Sequence, residues 1–274
     1  VEIGLNETGT IGSALKDATG IDFSNYAFSS FRRRVTRFIE INKIRELPSL
    51  LNSIRNNPEF AENMVREITV NVTEMFRDPS FWTLLRSKVL PVISARKEFR
   101  IWHAACSTGE EVYSMAIMLR EEGLLNRAHI VASDLNRKVL AAALRGEYNT
   151  KNQEVNNKNY TAAGGSGNLS DYYSTVNGTV IFDSSLVSGV RFIHHDLTRE
   201  SGPGKFDLIL CRNVLIYFNA ELQDKVIGSF SRSLDSGSFL AIGSKESLTW
   251  CKSCRHFEPL STEENIYIKN REII

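Results

Sequence analysis

Through the first 70 residues apolar positions recur at helical spacing and do not alternate. Phe31, Val35, Phe38 and Ile39 form one such stripe, and residues 60–68 carry another. A small all-helical domain over residues 1–70 is predicted. After Pro91 the pattern changes. Apolar runs at residues 100–105, 130–133, 189–194, 206–210, 239–242 and 266–269 read as strands, with amphipathic helices at 110–122, 136–145 and 221–233. Alternation of this kind predicts an α/β domain over residues 71–274, built on a parallel sheet with helices on both faces. The polar stretch 148–168, which ends in Gly164-Gly165-Ser166-Gly167, reads as a loop or connection. Asn177-Gly178, flanked by alternating apolar residues, predicts a hairpin over 172–182 and hence a small antiparallel subdomain at approximately 170–192.

Composition narrows the class rather than the function. At 274 residues, 42% hydrophobic and net charge +1, the chain is an ordinary globular protein of one large domain or two. No apolar stretch reaches the length of a membrane span, and no leader-like segment begins the chain, so a cytoplasmic protein is expected. Four cysteines fit a reducing compartment better than a disulfide framework. Cys251 and Cys254 form a lone C-x-x-C followed by His256, short of the four ligands of a structural zinc. No metal site and no redox role is expected there.

The chemistry concentrates between Ile101 and Glu111, where a strand breaks into a tight turn and a helix. Ser107 and Thr108 can cap that helix, with Glu110 and Glu111 three residues downstream. A helix N-terminus attracts a pyrophosphate, but two carboxylates beside it repel one. A nucleoside cofactor without phosphate fits better, and S-adenosyl-L-methionine (SAM) is such a molecule. Asp134 ends the second strand about 25 residues past Gly109, placed to accept from both hydroxyls of a ribose. These features point to a Rossmann-like site. The strand 206–210 runs into Arg212-Asn213 and should neighbour the first strand, so that this pair holds the methionine end of the cofactor, with Tyr217 one turn on. Arg77 lies in a polar cluster, Asn71 to Pro79, at the domain junction. A nicotinamide oxidoreductase would need Gly-x-Gly-x-x-Gly, of which only Gly109 is present. A nucleic-acid methyltransferase would show an Asn/Asp-Pro-Pro-Tyr/Phe run, and none occurs.

In order and spacing, Asn71-x-Thr73-x-x-Phe76-Arg77, Ile101 to Glu111, Ala132-Ser133-Asp134 and Cys211 to Tyr217 resemble the motifs of the CheR family of chemotaxis receptor methyltransferases. The resemblance spans nearly the whole chain. It implies a SAM-dependent glutamate O-methyltransferase, releasing S-adenosyl-L-homocysteine, with a helical N-terminal domain, a Rossmann-like catalytic domain and an inserted antiparallel β-subdomain. It further implies that Asn71, Thr73, Arg77, Glu111, Asp134, Arg212 and Asn213 bind the cofactor, that Asp196 and Leu197 meet the adenine, and that Arg77 and Tyr217 position the substrate carboxylate. Arg32, Arg33, Arg34 and Arg37 would read the acidic cytoplasmic helical bundle of a chemoreceptor. No nucleic-acid partner and no membrane insertion is expected, and the protein is expected to be a monomer. Many relatives carry a Gly-x-Gly-x-x-x-Gly loop that holds a receptor-tail peptide; the tight Asn177-Gly178 turn replaces it, so a receptor-tail tether is not expected. Ser244-Lys245-Glu246 stands where His-Ser-Glu is commoner, and Ala105 where Gly is frequent. The rival function is a non-catalytic SAM-binding signalling module.

Overall fold

The computed structural model describes residues 3–69, 73–249 and 251–270. The chain divides into two compact units: Val1–Asn71 with Ile216–Gln223, and Val72–Leu215 with Asp224–Ile274.

Among its described residues the first unit holds four complete helices, α1 (Leu5–Thr19), α2 (Phe28–Ile41), α3 (Leu47–Asn56) and α4 (Pro58–Ile68). Their apolar stripes close one core, in which Ile11, Leu15, Phe31, Val35, Phe38, Leu50, Ile54, Met64 and Ile68 are buried. Start and stop signals are local. Pro58 follows the Asn57 cap, whose side chain accepts from the Phe60 amide, and Gly20 ends α1 in the left-handed conformation. The returning segment joins this unit through an antiparallel bridge between Tyr26 and Phe218.

In the second unit, the segment after Arg77 forms α5 (Pro79–Leu84), a π-helical turn (Leu85–Val89) and α6 (Leu90–Ile93). Then follow β1 (Phe99–Ala104), α7 (Glu110–Glu121), β2 (Ala128–Asp134), α8 (Arg137–Arg145), β3 (Glu147–Asn149), α9 (Gln153–Ala162), β4 (Tyr173–Val176), β5 (Thr179–Phe182) and β6 (Arg191–His194). The last elements are β7 (Phe206–Cys211), α10 (Ala220–Ser233, counted in this unit from Asp224), β8 (Leu234–Ile242), β9 (Phe257–Ser261) and β10 (Ile266–Lys269).

The main sheet has the order β6-β2-β1-β7-β8-β10-β9. Its first five strands are parallel, and β10 and β9 complete it in antiparallel fashion. Every side chain of β7 is buried, as a central strand covered on both faces requires. β1 lies between β2 and β7, so the crevice beyond their carboxyl ends is the switch point at which open α/β sheets bind ligands. The hairpin turns at Asn177-Gly178, both with positive φ, and β3 adds a third strand, giving a separate sheet β3-β5-β4. That sheet ends at Phe182, and β6 pairs with β2 in the main sheet.

Two expectations are corrected here. Part of the stretch 148–168 is the helix α9, not a loop. Its buried face is Asn156 and Tyr160, so apolar periodicity misses it. Cys251 and Cys254 are not free thiols but a disulfide, closed across one turn of 3-10 helix at Lys252–His256.

Candidate functional site

The turn between β1 and α7 is wound tightly. Ala105, Ser107 and Gly109 all have positive φ. At Gly109 a β-carbon would lie 2.8 Å from that of Ala143, so α8 packs against a position only glycine can fill. Ala105 adopts the left-handed region that its commoner counterpart glycine takes freely. The expected Ser107/Thr108 cap does not form. Gly109 is the N-cap, without a side-chain hydrogen bond; the Thr108 hydroxyl donates to the Glu110 carboxylate at 2.6 Å, and the Ser107 amide donates to Asp134 at 2.9 Å. Backbone winding, not capping chemistry, starts this helix.

Acidic groups converge on the turn. Burial pushes the Glu110 carboxyl up to about 7, against the Thr108 hydrogen bond that pulls it down. Burial raises Glu111 too, but His103 and Arg212 outweigh it, so its pKa lies below the ordinary glutamate value. The contacts are His103 Nδ1 to Oε1 at 2.8 Å and Arg212 Nη1 to Oε2 at 3.3 Å. Asp134, at the end of β2, is 9% exposed. Its Oδ2 accepts from Ser107 N and its Oδ1 from Asn136 N, each at 2.9 Å. Burial raises its pKa, and those amides offset part of the rise.

Arg212, the residue expected at the methionine end of a cofactor, has its guanidinium at the centre of an ion network: Nη2 donates to Asp78 at 2.7 Å and to the Arg77 carbonyl at 3.3 Å, Nη1 meets Glu111, and the group lies 4.0 Å over the Phe81 ring. Its Nε is buried with no partner among the described residues, as is His103 Nε2. Asn213 has φ +64 and donates its amide to Glu246 at 3.1 Å. Glu246 also accepts from Gly243 N, and a β-carbon on Gly243 would lie 2.7 Å from Asn213 N, so glycine is obligatory for this clamp.

Arg77 and Thr73 lie half-buried on the segment leading into α5. Phe76 and Asp78 on either side of Arg77 both have positive φ. That conformation is held from outside: Met75 N donates to Asn156, Asn159 donates to the Met75 carbonyl, and Phe76 N donates to Ser114 of α7. Asn71 lies outside the described residues. Past β6, the Asp196 carboxylate closes its own turn, accepting from Thr198 N at 2.8 Å and Thr198 Oγ1 at 2.6 Å, with Leu197 half-buried beside it. Tyr217 belongs to the segment of the helical unit, where its carbonyl accepts from Ala27 N at 2.8 Å. In that unit Arg32, Arg33 and Arg37 of α2 are exposed, and Arg34 is half-buried.

Glu111, Asp134, Arg77, Arg212 and Asn213 are thus brought to the carboxyl end of the sheet or to the segment that borders it. His103, Asp78 and Glu246 act with them and carry no motif of their own: Asp78 meets Arg212 at a separation of 134 residues, Glu246 meets Asn213 at 33, and His103 meets Glu111 at 8. SAM offers a ribose diol, an ammonium and a carboxylate, and no phosphate. The buried carboxylates, the two arginines and the unpartnered Arg212 Nε and His103 Nε2 fit such a molecule. Among the described residues no group of three or more His, Cys, Asp or Glu could hold a metal ion.

Comparison of the sequence with known families shows where the chain belongs. The all-alpha domain of CheR methyltransferases matches residues 7–69, and the CheR methyltransferase SAM-binding domain matches residues 71–266. A Pseudomonas putida protein named as the methyltransferase Cher3 is 39% identical over 249 residues, covering 91% of each chain. A chemotaxis protein methyltransferase of Listeria monocytogenes is 32% identical over 85% of this chain and 87% of its own. Among solved structures, the N-methyltransferase NodS of Bradyrhizobium japonicum with S-adenosyl-L-homocysteine aligns over 72% of this chain and 91% of its own, at 14% identity and a TM-score of 0.39.

Proposed function

The chain belongs to the CheR methyltransferase family, a SAM-dependent methyltransferase of the chemotaxis type, and from that premise we propose that it methylates side-chain carboxylates of glutamates in chemoreceptor cytoplasmic domains, giving methyl esters. The observation that carries the site is Asp134, buried and oriented by two backbone amides beside a helix start bearing Glu110 and Glu111. A carboxylate so held accepts from a ribose diol, and the acidic helix start disfavours a phosphate.

When bound, SAM supplies an electrophilic methyl on a sulfonium. The protein has four tasks. Asp134 binds the ribose, and the backbone at Asp196-Leu197 meets the adenine, the Asp196 carboxylate being committed to Thr198. Glu111, Asn71, Thr73, Arg212 and Asn213 fix the amino-acid end. Arg77 and Tyr217 orient the substrate carboxylate. No general base is required, because glutamate, with a pKa of about 4.3, is already ionised at neutral pH. Catalysis then rests on alignment, which supplies about 7 kcal/mol or more.

Recognition of the receptor is assigned to Arg32, Arg33, Arg34 and Arg37 against acidic residues flanking the methylated glutamates, with no receptor-tail tether. The same reading makes it a cytoplasmic monomer that acts on the inner part of its receptors. Among the described residues no helix is long and apolar enough to cross a membrane. The test is to incubate the protein with receptor-bearing membranes and methyl-labelled SAM. Label in the receptor that base releases as methanol supports the proposal. Cofactor binding without such label supports a non-catalytic SAM-binding module instead. The docking assignment is tested by salt and by reversing Arg33 or Arg37, both of which should lower transfer because exposed ion pairs are screened over about 8 Å at physiological ionic strength; deleting the receptor tail should not.

A further inference from the structure

The Cys251–Cys254 disulfide lies in the connection between β8 and β9 and contributes no group to the cofactor site. Cys251 caps the 3-10 turn Lys252–His256, and the Cys254 amide donates to the Cys251 carbonyl at 3.3 Å. The ring it closes has a sequence separation of 3, too short to restrict an unfolded chain as a structural disulfide does. Both cysteines are half-buried, within reach of an attacking thiol, whereas Cys106 and Cys211 are fully sequestered. Lys252 and Arg255 are exposed on the same turn. Basic neighbours favour a thiolate, the species that attacks and leaves in disulfide exchange.

The ring also has something to hold. Ser253, inside it, donates its amide to Asp224 Oδ1 at 2.7 Å and its hydroxyl to the Asp224 carbonyl at 3.2 Å. One turn further along α10, Gly228 clears the approach, since a β-carbon there would lie 3.1 Å from Ser253 Oγ. The Ser253 amide is the first cause holding the Asp224 carboxyl below its ordinary range. The loop therefore docks on Asp224 of α10 through residues inside the ring, Ser253 first and the Lys252 backbone beside it.

We propose that Cys251–Cys254 is a redox-active thiol–disulfide exchange site that takes a dithiol as its reductant, and that its reduction releases the Ser253 loop from α10. One thiolate of the dithiol attacks a sulfur of the ring, breaking the Cys251–Cys254 bond and forming a mixed disulfide. The second thiol attacks that bond and leaves as the cyclic disulfide. Two electrons and two protons end on Cys251 and Cys254 as thiols. The site rests on the cytoplasmic reading in one respect: in a reducing compartment a disulfide is transient, and exchange or sensing is its ordinary use.

The test uses the full chain in mixtures of reduced and oxidised dithiothreitol, followed by native-state maleimide labelling with mass readout and by hydrogen exchange. The expected result is two labels per chain that appear with rising reduced dithiol and disappear on re-oxidation. Exchange in peptides over residues 224–228 and 251–256 should rise several-fold on reduction. C254S should exchange at the reduced-state rate in every mixture. A ring that stays closed in excess dithiol, thiols that never re-form the bond, or exchange in α10 that ignores the redox state would overturn the proposal. Neither readout uses cofactor or substrate, so failure of methyl transfer would leave it standing.

Discussion

Removing the Glu121 carboxylate should unfold the large unit at markedly lower denaturant, because four groups from separate segments converge on it. Arg86 Nη2 donates to it at 2.7 Å, Tyr172 OH and Ser166 N each at 3.2 Å, and Tyr160 OH completes the set. The side chain of Glu121 is 2% exposed and that of Arg86 is 20% exposed. The node thus joins α7, the π turn, α9, the glycine-rich loop and the approach to β4. Truncating one member of a buried pair costs about 3–5 kcal/mol. Arg86 keeps a second partner in Glu122 at 3.3 Å, which places Glu121→Ala toward the lower end, about 3 kcal/mol. In urea, at an m-value of about 2–3 kcal/mol/M, the midpoint should fall by about 1 M. Burial pushes the Glu121 carboxyl up, yet Tyr160 and Arg86 leave it below its ordinary value. A depressed carboxylate contributes stability that is present above the unfolded pKa of about 4.3 and lost as pH falls through the folded pKa, so the wild-type advantage should vanish in acid. Tryptophan fluorescence in urea at neutral pH measures the shift, with Glu122→Ala as the exposed control. A loss below about 1 kcal/mol, or one equal to that of the control, would refute the node.

Three further outcomes follow from the site. Asp134→Ala should weaken S-adenosyl-L-homocysteine binding by about 1.5–3 kcal/mol in calorimetry, the worth of a charged hydrogen-bonding group; unchanged affinity in a folded variant would remove Asp134 from the ribose contact. Glu110, whose carboxyl is raised to about 7, binds a proton in the folded state that the unfolded state releases between about 4.3 and 7. Its charge therefore costs stability as pH rises through that window, and Glu110→Gln should raise the melting temperature at pH of about 8 but not at about 4.5; equal effects at both would contradict the raised value. Tyr217→Phe should lower kcat more than it weakens cofactor binding, and a fully active variant would reduce the hydroxyl to packing.

What the sequence made legible was whatever is written in apolar periodicity. The α1–α4 stripes, the order of strands and helices around β1, β2 and β7, and the Asn177-Gly178 hairpin all follow from local pattern. What escaped was polar and long-range. α9 buries asparagine and tyrosine, and its Asn156 and Asn159 serve to hold Met75 rather than to fill a core. β9 carries Pro259 and lies at the sheet edge, so its pattern is weak. The Ser107/Thr108 cap looked plausible because cap chemistry was present, but three left-handed residues turn the chain before those hydroxyls can reach the helix amides. Arg212 was identifiable as a polar residue at a strand end; its partners Asp78 and Glu111 lie 134 and 101 residues away, beyond any local signal. The C-x-x-C is visible in the sequence, but cysteine number alone speaks for reduced thiols and not for the disulfide that forms.

The central claim is that this chain esterifies glutamate side chains of a chemoreceptor. Peptide mass spectrometry of a purified receptor cytoplasmic fragment, after incubation with the protein and SAM, measures it most directly. The account predicts a methyl-sized mass increase confined to glutamates, lost in mild base with release of methanol, and reduced when Arg33 or Arg37 is reversed in charge. Base-stable methylation on another residue type, or a receptor fragment left unmodified by protein that binds SAM, would contradict it.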